Sequence, residues 1–411
     1  MKKVYNITQK AAVAVLAILL AASCVFEKEN PVGHSDARQH VAVQLGIGTE
    51  GMAQTKADDN TGIPITTPDA ENPVSTIETK IKTLRIYAYT KEGANYKLCG
   101  YYQAFAKADG TFNTTGHVMD LNLPASGTVD VYFRAVANES AMLPGGDKTG
   151  SIAYNYAINV GRDPQTGGLT FSKAIGFDEL NSILYSVDQK FENGMPMYAD
   201  QKVSINVDNV GSMNTADGHN GHFILQETVN LILTRSLAKI MVYAAQAVDG
   251  TDVLDTQNPS ITIDKVTYFT EGILESGYLF PTENYPDDIT TNDDIVFEPA
   301  DGGVKKMIGT QNTSNIGVPA NYTPITDPYY IPENPNGADT WNQVGDTEGM
   351  VIRIDYTYTG SSSTFAYVKM PPMVRNTFYK VLCLINAAGK IEIKYIVTDW
   401  IIADINVPNF E

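Results

Sequence analysis

The chain has 411 residues, 47 acidic against 29 basic, giving a formal charge of −18, with 43% hydrophobic and only 18% charged positions. Nucleic acid and anionic membrane surfaces both demand clustered Lys and Arg, so this excess of carboxylates excludes either as the principal partner. At roughly 100 to 200 residues per domain, the length predicts two domains with cores of their own. The supply of Tyr, Thr, Val, Ile and Gly predicts strands rather than helices.

Lys2, Lys3 and Lys10 flank or precede an apolar run over residues 11–22, the layout of an export signal over residues 1–23. The run is too short for a membrane span, which needs about 20 residues. It ends in Leu20-Ala21-Ala22-Ser23-Cys24, which is similar to the lipobox of bacterial lipoproteins. That likeness implies that Cys24 is acylated, with palmitate among its lipids, and becomes the mature N-terminus. Ala21 stands where the motif prefers Leu, and an ordinary secretory signal with an incidental Cys is the alternative. Cys99 and Cys383 fall in strand-like runs and are expected as two buried thiols rather than a disulfide framework.

Residues 25–38 show no structural period and read as a tether. Over 40–48, Val41, Val43, Leu45 and Ile47 alternate with Ala42, Gln44, Gly46 and Gly48, which predicts the first strand. Residues 49–76, rich in Gly, Thr, Asp, Asn and Pro, predict a long loop, a feature that in compact domains marks function or disorder. Strands follow over 81–90, 96–105, 118–123 and 128–138. Phe177, Leu180, Ile183, Leu184 and Val187 lie at helical spacing and predict a short helix over 177–188. Residues 206–222 are dense in turn formers and predict a loop near a domain boundary.

The strand pattern restarts over 227–244 and 260–270. Loops and short strands are expected through 281–346, then strands over 350–358, 364–370, 377–386 and 390–398. An all-β fold of two tandem β-sandwiches, residues 57–226 and 227–400, with long loops and one short helix, accounts for this order. Beyond it, residues 401–411 repeat the profile of the first strand, with Ile401, Ala403, Ile405 and Val407 alternating with Ile402, Asp404, Asn406 and Pro408. Two segments of one profile can compete for one groove, and a strand donated to another chain's sheet is a known mode of recognition.

The residues offer little for catalysis. His34, His40, His117, His219 and His222 are the only histidines. Residues 217–222 (Asp-Gly-His-Asn-Gly-His) lack the rigid spacing of a zinc site, and residues 287–294 lack the Gly and terminal Glu of a calcium loop. There is no G-x-S-x-G, P-loop or C-x-x-C, so no enzyme, cofactor or metal is expected. Tyr101-Tyr102 and Tyr329-Tyr330 suit either a sugar-stacking surface or packing within strands.

Several motifs together resemble the fimbrillins, the subunits of type V pili. They are the lipobox at Cys24, the strand 40–48, Gln54-Thr-Lys-Ala-Asp58, Leu84-Arg-Ile-Tyr-Ala-Tyr89 and Val129-Asp-Val-Tyr-Phe-Arg-Ala-Val-Ala-Asn138. The order continues with Leu233-Thr-Arg-Ser-Leu-Ala-Lys-Ile240, Val374-Arg-Asn-Thr-Phe-Tyr-Lys380 and Ile396-Val-Thr-Asp-Trp400. The resemblance implies transthyretin-like sandwiches, export to the outer membrane as a lipoprotein precursor, and incorporation into a cell-surface fimbrium. It further implies that a surface protease removes the N-terminal segment, residues 24–56, and that the subunit then polymerises by strand donation, supporting adhesion.

Carried onto this sequence, the cut falls between Lys56 and Ala57, where the family often has Arg, so a trypsin-like protease fits better than an arginine-specific one. A cut at Arg38 instead leaves the strand attached. The removable strand then carries Val41, Val43, Leu45 and Ile47, and the donor strand carries Ile401, Ala403, Ile405 and Val407. Partners implied are identical or related subunits, the maturation protease, a host receptor or glycan, and the outer membrane through the lipid, with no nucleic acid. Two rival readings stand beside this one: a surface lipoprotein that binds glycans and never polymerises, and a pilus tip or anchor subunit.

Overall fold

Runs of β-branched and aromatic residues form strands throughout the computed structural model. It describes residues 38–49, 78–142, 157–214, 222–247, 261–269, 273–282, 295–297, 305–306, 318–338, 349–358, 362–386 and 391–399, except 79, 115, 164–167, 188, 193 and 320 within those spans. By internal contacts, Gln39–Glu411 is one compact unit, and of the other unit, Met1–Arg38, only Arg38 is described.

The first five strands are β1 (Arg38–Thr49), β2 (Thr83–Glu92), β3 (Asn95–Phe105), β4 (His117–Pro124) and β5 (Thr128–Ala137). Next come β6 (Val160–Arg162), β7 (Leu169–Phe171), β8 (Leu184–Ser186), β9 (Met197–Asn206), β10 (Val210–Asn214) and β11 (His222–Arg235). β4 shows how the sequence dictates burial: His117, Met119, Leu121 and Leu123 are buried, and each intervening residue is partly open. The sheet order is β1-β4-β3-β2-β5-β9-β11-β10, with an additional pairing of β1 to β11. Seven strands therefore form a closed circuit around one core, and β1 is the strand that closes it.

The second half holds β12 (Leu237–Ala247), β13 (Ile261–Phe269), β14 (Ser276–Tyr278), β15 (Ile295–Phe297), β16 (Lys305–Lys306) and β17 (Thr323–Pro324). It ends with β18 (Tyr329–Pro332), β19 (Val351–Tyr358), β20 (Thr364–Lys369), β21 (Thr377–Asn386) and β22 (Ile391–Asp399). Sheets β17-β12-β21-β22 and β15-β13-β19-β20 face each other across a core that includes Ile240, Val242, Ile263, Ile352, Ile354 and Val381. β12 and β21 run parallel and are buried along almost their whole length, as their near-continuous apolar sequences require. The protein is thus all-β, and its helical elements among the described residues are 3-10 turns at Glu139–Ala141 and Glu179–Ser182.

Four sequence expectations change. No helix spans 177–188: after the 3-10 turn, Ile183 is extended and Leu184–Ser186 pairs with Ser276–Tyr278. The helical spacing reflects Leu180 buried from the 3-10 turn, Ile183 from its extended exit and Leu184 from β8, rather than one helix face. Within the expected loop 206–222 lies β10, paired to β11. The run 227–244 is not one strand: it is broken at Ser236, where the chain leaves β11 and enters β12 in another sheet. At that corner the ladder gives way to other bonds: Ser236 N donates to Pro196 O, its hydroxyl donates to Leu279 O, and its carbonyl accepts from the Tyr185 hydroxyl. Finally, β9, a strand at the heart of the circuit, was not expected, although Tyr198, Asp200, Lys202 and Ser204 alternate with Met197, Ala199, Gln201, Val203 and Ile205.

Cys99 and Cys383 are both buried thiols, not a disulfide. Burial pushes the Cys383 thiol far above its ordinary range, so it holds little thiolate. In a Cys24→Ser chain, an aromatic disulfide reagent at about pH 8 should label neither thiol until denaturant is added, since only the thiolate reacts. Prompt labelling of the folded chain would mean that the strands around Cys383 open readily.

Candidate functional site

β1 lies between two strands. On one side is β4, and Ile47 N donates to Thr114 O just ahead of that strand at 2.9 Å. On the other, β1 pairs in parallel with β11, from Val41↔Phe223 and Ala42↔Ile224, then from Gln44↔Thr228 to Thr49↔Leu233. Between the two stretches β11 carries two more residues than β1, an even surplus that keeps the same faces inward.

Val41, Val43, Leu45 and Ile47 are at most 2% exposed and share a core with Leu84, Ile86, Met119, Leu121, Leu231 and Leu233. Gln44 is exposed, but Ala42 and Gly46 on the opposite face are buried, so β1 is covered on both faces over most of its length. Four aliphatic side chains at about 1.5–3 kcal/mol each would contribute roughly 6–12 kcal/mol, an upper figure because the unfolded chain also buries surface.

The pairing of β11 makes it depend on β1. Among the described residues, β11 is paired to β9 at Thr234 and Arg235 and to β10 between His222 and Leu225. Residues 228–233 are paired to β1. Beyond them, Arg235 is fully buried at the start of a polar cluster. Its Nε donates to Glu78 O at 3.2 Å, and its Nη1 donates to Asn376 Oδ1 at 3.2 Å. The Glu78 carboxylate accepts from Lys239 Nζ and from the Tyr330 hydroxyl, each at 2.7 Å. Lys239 also lies 4.7 Å from the Phe378 ring centroid. Burial lowers the Lys239 pKa; Glu78 opposes this shift and Arg235 adds to it.

The chain that leads from Glu78 into β2 is fixed by Asn138, which has a left-handed φ of 61° and is fully buried. Its amide donates to Lys80 O and Met195 O, and its carbonyl accepts from Lys82 N. Sequence reasoning missed Glu78 and assigned Arg235, Lys239 and Tyr330 no part in a buried polar cluster. The signal that could have found the cations is the placing of Arg235 and Lys239 within an apolar strand run, where a charge survives only with partners.

Cys24, Lys56, Ala57, Ile401, Ala403, Ile405 and Val407 lie outside the described residues. So do residues 287–294 and the side chains of 217–222. Among the described residues no group of three or more His, Cys, Asp or Glu is placed to hold a metal, and no helix is long and apolar enough to cross a membrane. Of the tyrosine pairs, Tyr101, Tyr329 and Tyr330 are buried and Tyr102 is partly buried against His117, so they pack rather than present a sugar-stacking surface.

No family model and no curated protein matches the chain. Solved structures similar to it include fimbrial proteins and putative cell adhesion proteins. The tip fimbrial protein Mfa3 from Porphyromonas gingivalis, with a C-terminal truncation, is 13% identical over 88% of this chain and 100% of its own, with a TM-score of 0.42. A fimbrilin from Porphyromonas gingivalis W83 is 13% identical over 89% of this chain and 98% of its own, also at 0.42. A fimbrial protein from Bacteroides vulgatus ATCC 8482 is 14% identical over 87% of this chain and 99% of its own, again at 0.42. These similarities are remote, and the functional reading rests on the chain's own geometry.

Proposed function

We propose that the protein is a structural subunit of a surface pilus, exported as a lipoprotein acylated at Cys24 and activated when proteolysis after Lys56 removes β1. The observation that carries this reading is β1 itself, a strand that is paired on both sides and covered on both faces over most of its length. While present, it closes a sheet that would otherwise offer two edges to any extended chain. Once it is gone, β4 and β11 face an apolar groove that suits a strand of period two. The segment 401–411 has that period, with Ile401, Ala403, Ile405 and Val407 able to replace Val41, Val43, Leu45 and Ile47. The partner is then another copy of this chain or a related subunit, and the role is non-enzymatic.

Limited trypsin treatment of residues 24–411, followed by mass spectrometry and an unboiled SDS gel, tests this. The expected result is a new N-terminus at Ala57 and a ladder of multiples, lost on deleting 401–411. Cleavage that yields only monomer would replace the proposal with a tip or anchor role or a non-polymerising surface lipoprotein.

A further inference from the structure

We infer that Glu78 is a positioning residue that holds β11 in place after β1 has left, so that the vacated groove stays formed for an incoming strand. This rests on the strand-replacement reading above. The need for such a clamp follows from the pairing: residues 228–233 rest on β1, and its departure leaves them attached through their ends. One of those ends is Arg235, and the group that receives its Nε is the Glu78 carbonyl.

Glu78 is itself fixed from the second sandwich. Its carboxylate takes Lys239 from β12 and Tyr330 from β18, both at 2.7 Å, and it is 1% exposed. Tyr330 is braced in turn, because the Gln189 side chain bonds both its backbone N and its backbone O, and Phe191 packs edge-on against its ring. Asn376, a second acceptor for Arg235, is tied by its own N to Leu237 O at 2.7 Å. A chain of bonds therefore runs from β12 and β18, through Glu78, to the end of β11. Glu78 follows the proposed cut at Lys56 in sequence, so the clamp stays with the mature chain while β1 does not. A groove whose wall is held before the donor arrives spares the donor the cost of ordering it.

The test is amide hydrogen exchange in residues 228–233, measured on residues 24–411 before and after trypsin, with gel ladders scored in parallel. In the cleaved wild type these amides should lose the part of their protection that β1 supplied, yet exchange far more slowly than in an unfolded strand. In cleaved Glu78→Gln they should exchange at least about tenfold faster, and ladder growth should slow by a similar factor, as local opening of a strand end predicts. Tyr330→Phe, which keeps the buried ring and removes one bond to the carboxylate, should move both readouts the same way by a smaller factor, and it stands in if Glu78→Gln does not fold. A general loss of stability would speed exchange equally before and after cleavage; the clamp predicts a difference that appears after cleavage. Equal exchange in cleaved wild type and variants, or a variant effect of equal size before cleavage, overturns the inference. A wild type that is cut but makes no ladder overturns the strand-exchange reading instead, and the exchange comparison still decides the role of Glu78.

Discussion

A Leu45→Asp chain is expected to form the ladder without any protease. Leu45 is 2% exposed in the middle of β1, between β4 and β11. The substitution forfeits about 1.5–3 kcal/mol of apolar burial. It also asks a carboxylate to sit in the core without a partner, which costs several kcal/mol more. The chain can avoid that cost locally, because β1 can leave the groove while the other strands of the circuit stay paired among themselves. The expected readouts are an unboiled ladder from uncut protein and a trypsin site made more accessible. Gln44→Asp, one residue earlier and facing solvent, should change neither. If Leu45→Asp melts at lower temperature yet stays monomeric, β1 is a structural strand and not a plug.

The second large effect is expected at the other wall of the groove. Gly100 of β3 stands opposite Leu121 of β4, and a Cβ there would lie 2.7 Å from the Asp120 carbonyl oxygen and 2.6 Å from Leu121 Cδ2. A side-chain end could turn away, but the carbonyl belongs to the ladder and cannot. Gly100→Val should therefore push β4 off β3, costing about 3 kcal/mol or more, at the upper end of overpacking. Because β4 is also the neighbour of β1, the variant should lose the plug's protection as well. The checks are chemical denaturation and the rate of trypsin cleavage, both of which should change. Gly93, at a turn with φ of 64° and open space where a Cβ would go, is the contrast: Gly93→Asn keeps the left-handed turn and should be nearly neutral.

Most strands were legible because each carries its own reason to be one. β4 alternates, since one of its faces meets the core, and β21 is apolar from Val381 to Ile385, since both of its faces are covered there. β1 was legible from its period of two. The misses share a cause. In 177–188, burial comes from a 3-10 turn and the short strand β8 after it, and local spacing cannot distinguish that from a helix face. In 227–244 one apolar run serves two sheets, and the turn at Ser236 is stabilised by Pro196, Leu279 and Tyr185, all distant in sequence.

What the sequence determined by itself is the all-β class, the period of β1 and the low charge density of a chain built to pack, because those are properties of residues and their nearest neighbours. Only the tertiary structure decided that β1 closes the circuit between β4 and β11, and that Glu78 reaches Lys239, Tyr330 and Arg235 across the junction. Those relations join residues up to 252 positions apart. The burial that makes a carboxylate and its cations meet exists only once both sandwiches have formed.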